Sequence, residues 1–209
     1  MVVRQTDVAG NTSVSSSSLG FTLDTAVAAP TVALTTDSGT SSTDKITNAL
    51  GLTVSGREAS VTSLGTVQGT IEYKVGTDAW TTTAPTGLAD GSKSVLVRQT
   101  DAAGNVSAAS SALVFTYDTT APTINVSALA GDGVLSSAEK LTSLVITGTT
   151  TAEFGQAVSF TLNSKSYTGT VSSGTWSVVV PQADVAALTA GNNYGLTNVT
   201  VHDVAGNLL

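Results

Sequence analysis

The sequence predicts an all-β chain built from β-sandwich domains arranged end to end, and three observations lead to this prediction. A five-residue string, Asp-x-Ala-Gly-Asn, occurs at residues 7–11, 101–105 and 203–207. The copies lie 94 and 102 residues apart, the size of a whole β-sandwich domain and too long for one turn of a solenoid. Short segments that alternate apolar and polar residues recur between turn residues, as they do in sandwiches.

Composition excludes several classes of function. With 41% hydrophobic residues, the 209-residue chain can form packed cores, yet its eight basic residues and net charge of −7 make it a poor nucleic-acid binder. Cysteine is absent, which excludes disulfides and thiolate metal sites. No apolar run approaches the roughly 18 residues of a membrane span, and the first residues lack a signal-peptide layout. Because Val3 already lies within a repeat, we expect the chain to begin in the middle of a larger protein.

Residues 1–24 are predicted to be the C-terminal hairpin of a preceding domain. They match residues 95–118, so that Leu19–Asp24 lies 94 residues before Leu113–Asp118. Both segments alternate apolar with smaller or polar residues, the pattern of a half-buried strand. Since a lone hairpin is marginally stable in water, we expect this one to dock on a neighbour or fray.

Residues 25–118 are predicted to be a complete domain. Strands are expected at Ile71–Val75, around Leu52 and around Val95, each with apolar side chains on one face. Trp80 follows a turn, and we expect it to anchor the core; a ligand-stacking role is the alternative.

Residues 119–209 are predicted to be a second domain that lacks its last strand, which leaves an open sheet edge. Strands are expected around Phe160, around Trp176 and at 196–201. Trp176 has the same two interpretations as Trp80. Residues 181–188 form the only helical candidate, because a proline at the first turn precedes apolar residues three apart.

Two sets of segments carry a resemblance to a known family. Val97–Asn105, followed by Asp118–Thr123, resembles the tandem bacterial Ig-like repeats of giant biofilm-associated and type I-secreted adhesins. Leu162–Tyr167, Gly174–Val178 and Val201–Asn207 resemble a second subtype found in the same arrays. The resemblance covers essentially the whole chain. It implies tandem immunoglobulin-like sandwiches that form an extended, extracellular stalk on the bacterial surface or on a secreted protein, with calcium between domains.

Acidic residues gather near the predicted domain boundaries. If the loop after the penultimate strand, the end of the last strand and the first loop of the next domain meet at one pole, four carboxylates converge at each boundary. Such a group repels by about 1 kcal/mol per pair at 4 Å even in water, and a hard divalent cation removes that repulsion. Calcium accepts six to eight oxygens in flexible geometry. The predicted ligands are Asp7, Asp24, Asp37 and Asp44 at the first boundary, Asp101, Asp118, Asp132 and Glu139 at the second, and Asp203 in the last loop.

A plain structural role for these acids stands beside the metal hypothesis. Asp and Asn side chains commonly bond to the backbone of their own turns, and the glycine of each loop can supply a positive φ. The spacing also departs from strict repetition, because Glu139 stands where an aspartate is expected and the Asp24–Pro30 linker is longer than Asp118–Pro122.

The sequence favours a structural stalk segment of an adhesin, serving cell adhesion and biofilm formation. Its partners would be neighbouring Ig-like repeats, with the adhesion ligand bound by other domains. A glycan- or host-protein-binding module is the alternative, and it predicts an exposed aromatic cluster. An enzyme is not expected: His202 is the only histidine and is predicted to lie on the outer face of a strand. A further possibility is that the open second domain accepts a strand from another chain, although a cut from a longer protein explains the same ends more simply.

Overall fold

Strands provide almost all of the regular structure. The computed structural model describes residues 1–62 and 65–209. We refer to residues 1–24 as the N-terminal hairpin, to 25–118 as the first module and to 119–209 as the second module. The strands of the first module are β1 (Thr31–Leu34), β2 (Ile46–Thr47), β3 (Leu52–Ser55), β4 (Ala59–Thr62), β5 (Gly65–Gln68), β6 (Thr70–Val75), β7 (Gly91–Thr100) and β8 (Leu113–Tyr117).

The first module packs small sheets around one apolar cluster. Its main sheet has the order β2-β8-β7-β6, while β1 pairs with β3 and β4 with β5. Alternation along β7 points Val95 and Val97 inward, and both are completely buried. Val95 forms the core with Leu113 and Phe115 of β8. The β1–β3 pair covers this core with partly buried aliphatic side chains, namely Val32, Leu34 and Leu52.

The second module is built on one antiparallel sheet. Its elements are β9 (Ile124–Val126), a 3-10 turn at Glu139–Leu141, β10 (Leu144–Thr150), β11 (Ala157–Leu162), β12 (Lys165–Ser172), β13 (Thr175–Val180), the helix α1 (Gln182–Ala186) and β14 (Thr197–Val201). The sheet order is β14-β11-β12-β13-β10-β9. Strict alternation in β13 buries Trp176, Val178 and Val180, and α1 adds Val185 to the same core.

These elements confirm the predicted all-β, Ig-like fold class. The strands expected around Leu52, Phe160 and Trp176 are present, as are those at 71–75 and 196–201. The helix forms directly after Pro181, whose backbone caps it. No helix in the described residues is long and apolar enough to cross a membrane.

Two local predictions were wrong. Leu19–Asp24 is not a strand, and its apolar side chains are exposed. Leu19 bonds to Met1 through both backbone groups, and the residues after Leu19 have no strand opposite them within the described chain. Trp80 is not a core residue. It lies half-exposed, with the Arg98 guanidinium 4.5 Å from its ring centre, because a cation over the ring offers an alternative to burial.

Candidate metal centre

The β7–β8 hairpin determines which acids can meet. Gly91 pairs with Tyr117 and Val95 with Leu113, so the chain end of β8 lies beside the start of β7. Asp101 follows the last residue of β7, at the other end of a strand that spans about 30 Å. The predicted meeting of Asp101 with Asp118 is therefore wrong. The loop of a hairpin and the free ends of its strands lie at opposite poles.

The structure instead brings Asp101 to the point where the chain enters the first module, which we call the N-terminal pole. There Asp24, Glu58 and Asp101 each offer a carboxylate oxygen, and these oxygens lie within 4.8 Å of one another. Asp24 and Asp101 belong to the predicted ligands. Glu58 does not, and it comes from the segment between β3 and β4.

The Asp101–Asn105 loop holds its own carboxylate in place. Asp101 Oδ1 accepts a hydrogen bond from the Asn105 backbone N–H at 2.8 Å, and Oδ2 accepts one from Asn105 Nδ2 at 2.8 Å. Gly104 lies between them at φ +92°, a conformation that disfavours other residues. The Asn105 hydrogen bonds hold the pKa of the Asp101 carboxyl below its ordinary value. The Asp101 carboxyl is therefore charged at neutral pH although only 6% exposed.

Gln99 positions the other two segments of the cluster. Its buried side chain donates from Nε2 to the carbonyl oxygens of Ala28 and Gly56, at 2.8 and 3.0 Å. Its Oε1 accepts from the Glu58 N–H at 2.9 Å. The linker after Asp24 and the loop that carries Glu58 are thus bonded to one side chain of β7, two residues before Asp101.

This geometry fits a hard divalent cation. Calcium binds carboxylate oxygens at about 2.3–2.6 Å, so two ligands on opposite sides of one ion are separated by about 4.8 Å. The oxygens of Asp24, Glu58 and Asp101 lie within that span. Asn105 Nδ2 also approaches Asp24, at 3.3 Å from its carbonyl oxygen and 3.4 Å from Oδ1, which draws the linker toward the loop.

The Asp-x-Ala-Gly-Asn loop at residues 203–207 lies between the two modules. Asn207 bonds to Asp203 through its N–H and its Nδ2, both at 2.8 Å, and Nδ2 also donates to the Asp118 carbonyl oxygen at 3.0 Å. Glu153 occupies the position that corresponds to Glu58, since it follows Asp118 by 35 residues where Glu58 follows Asp24 by 34. Its Oε2 accepts from the Val204 N–H at 3.0 Å. The carboxylates of this junction belong to no metal-binding group among the residues described.

Direct contacts replace a carboxylate cluster at this junction. Ser38 Oγ donates to the Ala205 carbonyl oxygen at 2.7 Å, and Asn48 Nδ2 donates to Asn207 Oδ1 at 3.1 Å. The backbones of Gly39 and Gly206 pack closely together. A Cβ added to Gly206 would lie only 2.9 Å from the Gly39 Cα. The loop of the second module therefore docks on the 37–48 segment of the first.

The remaining predicted ligands are dispersed. Asp7 is exposed and bonds only within its own loop. Asp44 accepts from the Ile46 N–H, and Asp132 from the Val134 N–H. Glu139 accepts from the Ser136 N–H. These are the local turn bonds of the plain structural alternative.

Asp37 differs from these dispersed acids. Its Oδ2 accepts from the Lys45 N–H at 2.9 Å, whereas its Oδ1 is buried and has no hydrogen-bond partner. An unpaired buried carboxylate oxygen is a position where a cation fits.

Sequence reasoning missed Glu58, Gln99 and the ligand-holding role of Asn105. The signal for Glu58 was present, because Glu58 and Glu153 follow the equivalent acids Asp24 and Asp118 at nearly equal spacing. Gln99 repeats Gln5, 94 residues earlier, but its counterpart in the second module is Val201, so the repeat did not indicate that its side chain is buried.

Comparison with known proteins identifies the family. A sequence model described as a bacterial Ig-like domain matches residues 26–119. A bacterial immunoglobulin-like domain from the M. primoryensis ice-binding adhesin is 35% identical, over 42% of this chain and 85% of that one, with a TM-score of 0.33. Residues 26–119, which correspond to the first module, belong to the bacterial Ig-like domain family.

Two longer structures resemble the whole chain. A Ca²⁺-stabilized adhesin that helps an Antarctic bacterium bind ice is 27% identical, with a TM-score of 0.41. A 1.5-MDa bacterial ice-binding adhesin, described for its host cell surface retention, is 29% identical, with a TM-score of 0.38. Both alignments cover 100% of this chain, which spans 53% of the first structure and 69% of the second. No curated protein matches the chain.

The family match supports a bacterial Ig-like module.

Proposed function

We propose that this chain is a stalk segment of a bacterial surface adhesin, in which calcium ions at module boundaries stiffen a tandem array. The array would extend from the cell surface or from a secreted protein and serve cell adhesion and biofilm formation. The observation that carries the proposal is the group of three carboxylates, Asp24, Glu58 and Asp101, at the pole where the linker enters the first module.

The cluster joins three segments that are distant in sequence. Asp24 belongs to the linker, Glu58 to the loop after β3 and Asp101 to the loop after β7. Without a cation their charges repel one another. With a cation, the linker is bound to two points of the module, and rotation about it is restricted.

The expected energy is sufficient for a joint. Extracellular calcium modules bind their ion at about 10⁻⁴–10⁻³ M. A hundredfold excess of calcium over the dissociation constant stabilises the bound state by about 2.7 kcal/mol. A chain without cysteine gains a cross-link in this way where a disulfide is not possible.

Two further features support the proposal. The chain is 27% identical to a Ca²⁺-stabilized bacterial adhesin. At the second junction, Asp37 has a buried, unpaired carboxylate oxygen on the segment that receives the 203–207 loop. We assign Asp118, Asp203 and Asp37 as the calcium ligands of the second boundary. The partners of the chain would be neighbouring Ig-like repeats. Other domains would bind the adhesive ligand.

The glycan-binding alternative gains less support from the aromatic residues. Trp176 is buried in the core, and the ring of Trp80 is covered by Arg98, which also bonds to Glu72 at 2.7 Å. A sugar-stacking platform needs a free aromatic face.

Small-angle scattering of the full chain with calcium and then with chelator tests the stiffening. We expect the maximum dimension and its spread to change with calcium. The change should be lost in Asp101→Asn, whose loop belongs to the cluster. It should be kept in Asp7→Asn, because the equivalent loop at residues 7–11 holds the Asp7 carboxylate by bonds within the loop. A calcium response that is absent in the wild type, or equal in both variants, would refute the proposal.

A further inference from the structure

Asp90 lies where the chain leaves the first module. Gly91, the first residue of β7, pairs with Tyr117, the last residue of β8. Asp90 therefore stands beside the segment that continues from β8 into the second module, residues 118–123, which we call the inter-module linker. Leu88, two residues before Asp90, packs against the core of the first module. The loop that carries Asp90 is thus anchored on both sides, by Leu88 and by β7.

The Asp90 carboxylate accepts three hydrogen bonds from the inter-module linker. Its Oδ1 accepts from the Thr119 N–H at 3.0 Å and from Thr119 Oγ1 at 2.8 Å. Its Oδ2 accepts from Thr120 Oγ1 at 2.6 Å. The hydrogen bonds from Thr120 and Thr119 hold the pKa of the Asp90 carboxyl below its ordinary value, so the group is charged at neutral pH. Bonds to a charged acceptor are stronger than bonds between neutral groups.

The far end of the inter-module linker is bonded to the second module. The Thr123 N–H donates to Thr151 Oγ1 at 2.8 Å, and the Thr123 carbonyl oxygen accepts from Thr150 Oγ1 at 2.6 Å. Pro122 is buried, and its ring restricts the backbone of the preceding Ala121 to extended conformations. Each residue from 119 to 123 is therefore restrained by a hydrogen bond, by burial or by the proline.

The linker that enters the first module has a different sequence at these positions. Asp24 corresponds to Asp118, so Ala26 stands where the inter-module linker has Thr120, and it offers no hydroxyl. Five residues separate the aspartate from the next proline in the first linker, against three in the inter-module linker. The longer linker ends in the carboxylate cluster, whereas the shorter one is bonded to a single carboxylate through its threonines.

We propose that Asp90 is a clamp that helps to fix the orientation of the two modules without calcium. Its carboxylate holds the start of the inter-module linker on the first module. Thr123 and the docked 203–207 loop hold the second module. Calcium at this boundary adds to a joint that the chain already restrains by itself. The clamp needs no ion, so its failure and the failure of the proposed calcium site are separate outcomes.

Distances between two spin labels, measured by pulsed electron paramagnetic resonance, test the clamp in the full chain. The chain has no cysteine of its own, so labels can be placed at Thr82→Cys in the first module and Thr168→Cys in the second, both exposed positions. In chelator, we expect a narrow distance distribution without further change and a broader one in Asp90→Ala. Asp78→Ala removes the same charge from an exposed turn of the first module and should keep the narrow distribution.

Thr120→Val provides a second variant that leaves both cores untouched. It removes one of the three bonds to Asp90, so it should broaden the distribution less than Asp90→Ala. The double variant should be no broader than Asp90→Ala alone, because both changes break the same bond. Further broadening in the double variant would show that Thr120 acts without Asp90 and overturn the clamp.

Two other results would also overturn the proposal. Equal widths in Asp90→Ala and Asp78→Ala would assign the orientation to the docked 203–207 loop alone. A distribution that is broad in chelator and narrows only with calcium would assign it to the ion. Hydrogen exchange of the Thr119 amide checks the bond itself, since this N–H donates to Asp90. Exchange should be faster in Asp90→Ala than in Asp78→Ala, and equal rates would show that the bond is absent.

Discussion

The N-terminal pole of the first module and the junction between the modules use the same loop in different ways. At the N-terminal pole, the 101–105 loop gathers with Asp24 and Glu58 into a group of carboxylates. At the junction, the 203–207 loop bonds directly to Ser38 and Asn48 of the preceding module. The corresponding glutamate is there used as an acceptor for the Val204 N–H.

The difference shows what the motif itself provides. In all three copies, the aspartate accepts from the asparagine N–H and Nδ2 four residues later. The loop is thus a self-supporting unit that presents one carboxylate and one amide in fixed positions. Whether that carboxylate meets other acids or a polar surface depends on the segments packed around it.

The largest effect is expected at Gln99, because the second module has a different residue at the corresponding position. Gln99→Val introduces the residue type of the corresponding position in the second module, Val201. It removes three hydrogen bonds and leaves the Glu58 N–H and two carbonyl groups unpaired. At about 1–3 kcal/mol for each buried unsatisfied group, the free energy of unfolding of the first module should fall by about 3 kcal/mol or more.

Thermal and denaturant unfolding measure this loss, and calcium affinity should fall with it because Glu58 loses its anchor. Gln5→Val is the matched control, since Gln5 holds the same position in the N-terminal hairpin but is exposed. An unchanged stability in Gln99→Val would show that the side-chain network does not hold the pole together.

A smaller effect is expected from Gly206→Ala at the junction. Gly206 and Gly104 occupy the same place in their loops, at φ +92° in both. A Cβ on Gly206 would meet the Gly39 backbone, whereas a Cβ on Gly104 meets nothing within 4 Å. Both substitutions carry the strain of a left-handed backbone, about 1–2 kcal/mol, and only Gly206→Ala also pushes the modules apart.

Amide chemical shifts of residues 38–48 should therefore move in Gly206→Ala and stay in place in Gly104→Ala. If both variants leave these shifts unchanged, the docking of the 203–207 loop on the first module is wrong.

The smallest effect is expected on the stability of the protein at acid pH. Asn105→Ala should raise the pKa of Asp101 toward its ordinary value of 3.8, because the Asn105 hydrogen bonds are the main cause of its lowering. A carboxyl whose pKa is lower in the folded state adds stability above its unfolded pKa and loses it as the pH falls through the folded pKa. The stability difference between wild type and Asn105→Ala should thus be present at neutral pH and shrink below about pH 3.8.

Carbon-detected NMR titration of the Asp101 carboxyl measures the pKa directly. Asn11→Ala offers the comparison, since Asn11 lowers the pKa of Asp7 in the same way but belongs to a hairpin outside the module. An Asp101 pKa that does not rise in Asn105→Ala would show that the loop does not control the charge of the cluster.

The fold was largely predictable from the sequence because it depends on local patterns. Alternation of apolar residues identified the strands around Phe160 and Trp176, and Pro181 identified the only helix of the described residues. The grouping of the acids was not predicted, because it depends on topology. A hairpin returns the chain to its starting pole, which separates Asp101 from Asp118 and leaves Asp101 beside Asp24. Gln99 repeats Gln5 in the sequence, but its role was missed because that role depends on the three groups that its buried side chain bonds.

Calcium titration by isothermal calorimetry tests the central claim most directly, with the full chain, Glu58→Gln and Asp78→Asn. Glu58 belongs to the cluster, and Asp78 lies in an exposed turn, so the two variants remove equal charge. We predict binding at about 10⁻⁴–10⁻³ M that is weakened by Glu58→Gln and unchanged by Asp78→Asn. Heat of binding that is absent in the wild type, or that survives intact in Glu58→Gln, would contradict a calcium site built from Asp24, Glu58 and Asp101.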